Sequence, residues 1–324
     1  MHKGKILISA NGIISAVPAS FQSSNCKNRK GFGNASIKFG LSMKKCLIVV
    51  NTHKDLSRKF GNSIAEFLTE RGIKSSFYSF NGFSNDNPFE GNDFVITLGG
   101  DGTVLFAARG CVKHGIPVFP VNFGEFGFIA SIQKQEWRQK LELFLEGKLP
   151  VVTRSMVQAA LIRPAEKGEI FSSIGLNDVV ICSKFATRTV LLEVSYNRVP
   201  LGIFKADGLI VSTATGSTAY STSAGGPIID PELDALLLTP MNAFSLSSRP
   251  LVLSPDGEIG VTVMRSRENE SIITVDGQKT FELQEGDCVK IRRISEKVKL
   301  AGCTVEKFYD ALRSKLNWSG GPHA

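Results

Sequence analysis

The feature that most narrows what this chain can fold into is the run from Phe94 to Arg109. An apolar stretch, Phe94-Val95-Ile96, leads through Leu98-Gly99-Gly100-Asp101-Gly102-Thr103 into Val104-Leu105-Phe106-Ala107-Ala108-Arg109. It reads as strand, glycine turn, helix. Three glycines around one aspartate permit backbone conformations barred to other residues and let a ligand approach the main chain closely. The first N–H groups of the helix then form a ready anion site, with Gly99, Gly100 and Gly102 as its phosphate loop. An aspartate beside bound phosphate is badly placed unless a metal or a reacting hydroxyl is its partner. The plain alternative is an ordinary βα turn with a surface aspartate.

The flanking sequence supports an α/β reading. Cys46 to Asn51 is an apolar strand, Asp55 a plausible helix cap, and Leu56, Phe60, Ile64, Phe67 and Leu68 recur at helical spacing up to Gly72. Ile73 to Phe80 can form a second strand, and residues 81–92 a polar loop over the site. After the Phe94 strand and a helix ending near Gly115 comes the strand Pro117 to Asn122, then an aromatic loop with Phe123, Phe126 and Phe128. Such a loop can set a ring against a flat base or plug the core. Ser131 is read as the cap of a helix carrying Trp137, Leu141, Phe144 and Leu145. Strands alternating with helices argue for a parallel sheet with ligands at the carboxyl ends of its strands.

Near residue 150 the pattern changes to short β-prone runs, among them 179–181, 189–194, 209–211, 259–263, 272–275 and 289–294, separated by turn signals. A last helix, 304–316, has Phe308, Leu312 and Leu316 on one side and is expected to pack back on the first domain. The expected organisation is a tail over 1–42, an α/β domain over 43–148, a β-rich domain over 149–300, and a C-terminal helix and tail over 301–324.

Charge and cysteines exclude several classes. Eight of the 38 lysines and arginines lie in residues 1–45, which hold no acid, leaving 30 cations against 30 acids in the rest. The basic pI therefore belongs to the tail, and a nucleic-acid-binding face on the body is not expected. The tail reads as a transit-like peptide, a poor secretory signal, or a start taken too early, the last favoured because Met43-Lys44-Lys45 leads straight into a strand. No apolar run reaches the roughly 20 residues of a membrane span. Six dispersed cysteines and four dispersed histidines suggest neither a zinc site nor a disulfide framework, and favour a reducing, cytoplasmic compartment.

Two further segments carry chemistry. Leu176-Asn177-Asp178 precedes a strand, and residues 206–227, Ala-Asp-Gly-Leu-Ile-Val-Ser-Thr-Ala-Thr-Gly-Ser-Thr-Ala-Tyr-Ser-Thr-Ser-Ala-Gly-Gly-Pro, join small hydroxylated residues to glycines after another. Such a run offers many donors and little bulk, which suits a polyhydroxylated, phosphorylated ligand; a serine- and threonine-rich loop is the simpler reading.

Together with Ser247-Ser248-Arg249-Pro250-Leu251, these motifs resemble the ATP-NAD kinases, in order and over roughly residues 44–316. The glycine turn alone is shared with diacylglycerol-type lipid kinases and, more loosely, phosphofructokinases; the 207–227 segment is more specific. The resemblance implies phosphoryl transfer from ATP to the 2′-hydroxyl on the adenosine ribose of NAD, giving NADP, with Mg2+ as the divalent metal. It implies that Asp101, with Gly102 and Thr103, lies at the acceptor ribose as base or metal-linked carboxylate. Phe128 would border the adenine pocket. Asn177 and Asp178, the latter where many members carry Glu, would bind sugar hydroxyls. Asp207 would lie near the nicotinamide, and Thr218, Ala219, Tyr220 and Ser223 at the adenine site. Asp276-Gly277 also falls at a family position, though a hairpin turn explains it as well. No metal ligands are assigned. Polyphosphate remains an alternative donor, and a homodimer or homotetramer is implied. No Walker Lys-Ser/Thr motif and no G-x-G-x-x-G fingerprint is present, so NAD is expected as substrate rather than as redox cofactor.

Overall fold

Cys46 to Val50 are apolar without alternation and buried throughout, the mark of a strand covered on both faces. A computed structural model of the protein describes residues 43–52, 57–84, 86–124, 127–185, 188–245, 247–265 and 270–316. The first part holds β1 (Lys45–Asn51), α1 (Ser57–Thr69), β2 (Lys74–Phe80), β3 (Phe94–Gly99), α2 (Asp101–Cys111), β4 (Val118–Asn122), a short β5 (Ile132–Gln133) and α3 (Trp137–Leu145). Strands β1 to β4 are parallel in the spatial order 2-1-3-4. The order reverses between β1 and β3, so their carboxyl ends, Asn51 and Gly99, open the crevice where such sheets bind ligands. Ile64, Phe67 and Leu68 of α1 are buried against the sheet. The Asp55 cap expected for this helix lies outside the described residues.

One local expectation is corrected. Ser131 does not cap α3: it precedes β5, its hydroxyl lies 3.3 Å from the Cys303 sulfur, and the helix starts six residues later behind Glu136. Pairing of β5 with the β4 end draws this segment into the sheet instead.

The second part is β6 (Val151–Ile162), β7 (Glu169–Gly175), β8 (Asp178–Ser183), β9 (Val190–Tyr196), β10 (Val199–Ala206), β11 (Gly208–Thr213), α4 (Tyr220–Ser223), β12 (Leu236–Met241), β13 (Leu251–Leu253), β14 (Glu258–Val263), β15 (Ser271–Val275), β16 (Lys279–Leu283), β17 (Cys288–Ala301) and α5 (Val305–Leu316). Six strands form one antiparallel sheet in the order β13-β12-β11-β8-β15-β16. The others join the first part: β17 pairs with β6, β14 and, at Leu300 opposite Val118, with β4. One 11-stranded sheet therefore runs from β2 to β10, parallel at one end and antiparallel at the other. Val179, Ile181, Leu209 and Val211 of the six-stranded sheet pack in one core with Val157, Leu192, Val261 and Ile291 of the larger sheet.

The α/β part followed by a β-rich part is the expected fold class, and α5 returns to the first part, Phe308 packing on Phe128 at 6.0 Å between ring centroids; it also touches the second part, Tyr309 donating to Asp230 at 2.9 Å. No helix among the described residues is long and apolar enough to cross a membrane.

Candidate functional site

The glycine turn sits where β3 meets α2. Gly99 is closely overlaid by the Thr103 side chain, with which a Cβ would collide, and Gly100 is extended at the helix entry without a side-chain cap. Asp101 is the first helical residue. Its carboxylate turns toward the 127–130 segment: Oδ2 accepts the Phe128 N–H at 3.0 Å, and Oδ1 accepts those of Ile129 at 3.2 Å and Ala130 at 2.8 Å. Three donors offset the charge that looked misplaced beside a phosphate, and they tie the aromatic loop to the turn. Gly127 permits the approach, because a Cβ there would strike Asp101 Oδ1.

A second cluster forms around the turn from β15 to β16. Asp276 and Gly277 have φ of 52° and 64°, and the Gln278 N–H reaches Val275 O at 3.0 Å, a type I′ turn. The buried Asp276 carboxylate accepts the N–H groups of Leu176 at 2.9 Å, Asn177 at 2.8 Å and Asp178 at 3.2 Å. The hairpin reading of Asp276-Gly277 therefore holds, and in addition its carboxylate anchors the Asn177-Asp178 corner. Asn177 is buried and its Oδ1 has no hydrogen-bond partner, an acceptor that costs free energy until a donor reaches it. Asp178 is buried as well. Burial first, and the neighbouring Asp276 second, push its pKa up to about 7, against the Tyr220 backbone hydrogen bond. Burial raises Asp276 too, opposed by its three N–H donors. The donors favour charge on Asp276, so a proton shared by the pair resides on Asp178.

The 207–227 segment corrects the picture of a donor-rich surface. Most of its hydroxyls hold the segment together. Thr213 Oγ1 donates to Leu176 O at 2.6 Å and accepts from the Gly216 N–H; Ser217 bonds both polar groups of Ile229; Ser221 pairs with Thr239; Thr222 donates to Ser217 O. Gly216 lies against the Asn177 backbone, leaving no room for a Cβ. Thr218 and Ala219 are half-buried, whereas Tyr220 and Ser223 are exposed. Asp207 accepts from Asn242 Nδ2 at 2.8 Å. It lies five residues before Ser212, which pairs with Asp178 across β11 and β8, so roughly 17 Å of strand separates the two acids. Burial first, then Cys182 and the two acids Asp178 and Asp207, raise the Tyr220 pKa. Phe128 and Thr218 line one small cavity of about 20 Å³ with Phe308, room for a water molecule and not for a base.

These features agree with three comparisons. Residues 85–149 match the ATP-NAD kinase N-terminal domain and residues 176–302 the ATP-NAD kinase C-terminal domain. An NAD kinase of Treponema denticola is 45% identical over 279 residues, covering 86% of this chain and 98% of that protein. The chain belongs to the ATP-NAD kinase family. The crystal structure of yeast NADH kinase complexed with NADH shares the fold with a TM-score of 0.75 at 20% identity, covering 86% of this chain and 88% of the yeast one. An NAD kinase from Archaeoglobus fulgidus in complex with ATP gives 0.67 at 24% identity, over 84% and 98%.

Of the residues named from sequence in this kinase, Gly99, Gly100, Asp101, Gly102, Thr103 and Phe128 gather at the β3 end. Asn177 and Asp178 form the second corner with Asp276, and Thr218, Ala219, Tyr220 and Ser223 follow β11. Gln278 joins the two groups, its Nε2 donating to Gly102 O at 2.7 Å and its Oε1 accepting from Arg109 at 2.7 Å. Sequence reasoning missed Gln278, Arg109 and Asn51. Asn51 had a signal, the carboxyl end of an apolar strand, and its amide lies 3.4 Å from Thr103 Oγ1.

Proposed function

We propose that the crevice between the Asp101 turn and the Asn177-Asp178 corner transfers a phosphoryl group from ATP to the 2′-hydroxyl on the adenosine ribose of NAD, giving NADP. Family membership gives the chain the activity of an ATP-dependent NAD kinase; the assignment of roles to residues is our own. The observation that carries it is the unpartnered, buried Asn177 Oδ1 beside Asp178, acceptors suited to sugar hydroxyls, joined through Gln278 to the phosphate-binding turn. The 17 Å run from Asp178 past Tyr220 to Asp207 suits an extended dinucleotide.

Phosphoryl transfer is chiefly positioning and charge neutralisation. Asp101 orients the acceptor hydroxyl through the capacity that a single N–H leaves on Oδ2, while the three amides fix the carboxylate. Phe128 and Thr218 open to admit the adenine, with Ala219, Tyr220 and Ser223 along its edge. Gly99, Gly100 and Gly102 form the turn that takes the donor phosphates, and Thr103, whose N–H is spent on Gly100 O at 3.0 Å, lies at the acceptor ribose. Asp101 would hold the magnesium that accompanies the donor, an ion that takes one or two carboxylates beside phosphates and water, and the ion would supply neutralisation of phosphate charge.

We take the domains to divide at 148/149 and 300/301. We further propose a cytoplasmic homodimer or homotetramer. The described cysteines are all free, and Val199, Leu201 and Ile203 form an exposed apolar strip on the edge strand β10. The test is NADP formation by the purified full chain, with the donor varied between ATP and inorganic polyphosphate and the acceptor between NAD and NADH. ATP with NAD is expected to give NADP; no NADP with any donor overturns the reading.

A further inference from the structure

Cys303 lies between the end of β17 and the start of α5 and is buried. A buried free cysteine ordinarily packs as a small apolar group. Burial alone does not account for what its sulfur meets. Sγ is 3.1 Å from Ile129 O and 3.3 Å from the Ser131 hydroxyl, with Ala301 O more distant at 3.7 Å. A carbonyl oxygen only accepts, so the thiol proton is spent on Ile129 O and the Ser131 hydroxyl donates to the sulfur. Burial first, with the Asp101 charge acting in the same direction, pushes the thiol pKa up to about 11, against the Ser131 bond and the Arg154 charge. The donor is therefore present throughout the neutral range.

Ile129 O and the Ala130 N–H belong to one planar peptide unit, so fixing the oxygen fixes the direction of the hydrogen. That N–H makes the shorter of the two bonds to Asp101 Oδ1, 2.8 Å against 3.2 Å from Ile129. A chain of donors thus runs from the Ser131 hydroxyl through the Cys303 thiol and the 129–130 peptide to the carboxylate, each bond polarising the next. The cysteine is itself held from β6. Arg154, whose register partner on β17 is Val298, donates through Nη2 to Cys303 O at 2.9 Å and through Nη1 to Thr153 O at 3.3 Å. Arg154 is buried, so its guanidinium is committed to this corner rather than to solvent.

We propose that Cys303 is a positioning residue for Asp101: its thiol orients the peptide between Ile129 and Ala130, so that the Ala130 N–H keeps Oδ1 occupied and Oδ2 stays turned to the acceptor hydroxyl. The proposal rests on the reading of Asp101 as the group that orients that hydroxyl. Cys303 acts through the peptide and not on the reacting atoms. It also lines the small cavity with Phe128 and Thr218. A change of side-chain volume there acts on adenine entry and is read in KM for NAD, whereas a loss of orientation at Asp101 is read in kcat.

The test compares Cys303→Ala with Cys303→Ser in the full chain. The two replacements both lose the sulfur and differ by one hydroxyl, a donor directed at Ile129 O. Steady-state kinetics with NAD and ATP varied are read together with hydrogen exchange of the Ala130 amide by NMR. In Cys303→Ala, kcat is expected to fall about fivefold, the scale of one neutral hydrogen bond, with KM for NAD and for ATP within about twofold of wild type. The Ala130 amide is expected to exchange faster, and Cys303→Ser to recover most of both effects. A kcat for Cys303→Ala equal to wild type overturns the proposal. An equal fall in the two variants also overturns it and marks packing alone. A rise in KM for NAD at unchanged kcat overturns it too, and assigns Cys303 to the wall of the adenine pocket. Unchanged turnover in Asp101→Asn removes the reading of Asp101 instead, while exchange at Ala130 still reports whether the thiol orients the peptide.

Discussion

Three backbone N–H groups converge on Asp101, so exchanging one of its oxygens for an amide nitrogen sets N–H against N–H. Asp101→Asn is therefore expected to lower the melting temperature as well as turnover. Turnover should fall on the order of 10²-fold or more, with NAD binding retained in a thermal-shift titration. Unchanged turnover removes Asp101 from the mechanism. Asp178 makes a pH-dependent prediction. Its pKa, pushed up to about 7, leaves it protonated in acid, when it loses acceptor capacity for sugar hydroxyls. KM for NAD should drop as pH rises from about 6 to about 8, and Asp178→Asn should flatten that profile. Stability moves the other way. The unfolded group titrates near pH 4, so between roughly pH 4 and 7 the folded state binds more protons. The stabilising contribution is present in full below that window and is lost as pH rises through it. A profile for NAD that is flat in the wild type shows that Asp178 is not the group that matters. Asn177 and Asp178 were legible in the sequence as a polar pair before an apolar strand. Their support by Asp276 was not, because Asp-Gly in a hairpin turn has a sufficient local explanation.

At the scale of elements, the antiparallel pairing of β6 with β17 is closed by an ion pair between Arg163 and Asp287, 2.8 and 2.9 Å at its two contacts, with the Asp287 side chain fully buried. Arg163→Ala leaves that carboxylate without its cation and should cost about 3 kcal/mol, read as a lower denaturant midpoint at unchanged slope. A midpoint shift near zero means water replaces the guanidinium without penalty. The parallel strands β1, β3 and β4 were legible because their apolar runs are nearly continuous, and β8, β9, β11, β14 and β15 because turn signals bracket them; β2, Lys-Ser-Ser-Phe-Tyr-Ser-Phe, lies at the sheet edge and is half polar. Only the start of β17 was read. Its later residues, Ser295-Glu296-Lys297, are polar, and the strand continues through a register shift there because β6 supplies partners on the far side. The hydroxyl run of residues 212–222 was legible as unusual. That its oxygens are mostly spent on bonds inside the protein depends on Leu176, Ile229 and Thr239, which no local pattern links to it.

For the whole molecule, β17 is the shared strand, paired with β4 at one end and with β14 and β6 along its length. The two parts should unfold together, since the 11-stranded sheet that β17 joins takes strands from both, and the six-stranded sheet packs in one core with it. Urea transitions of a Trp318→Phe variant, in which Trp137 of the α/β part is the remaining tryptophan, followed by fluorescence and by far-UV circular dichroism are expected to coincide; two separated transitions would show that the halves fold independently. The sequence by itself determined the α/β part followed by the β-rich part, the glycine turn and the family, because those rest on local periodicity, glycine placement and contiguous motifs. Tertiary structure alone decided what the site residues face. Asp101 meets the 128–130 backbone across 27 to 29 positions, Asp276 meets residues 176–178 across 98 to 100, and Gln278 meets Gly102 across 176. Hydrogen bonds across such separations follow from sheet order and crossover connections, and a pattern with a period of two or 3.6 residues carries no record of them.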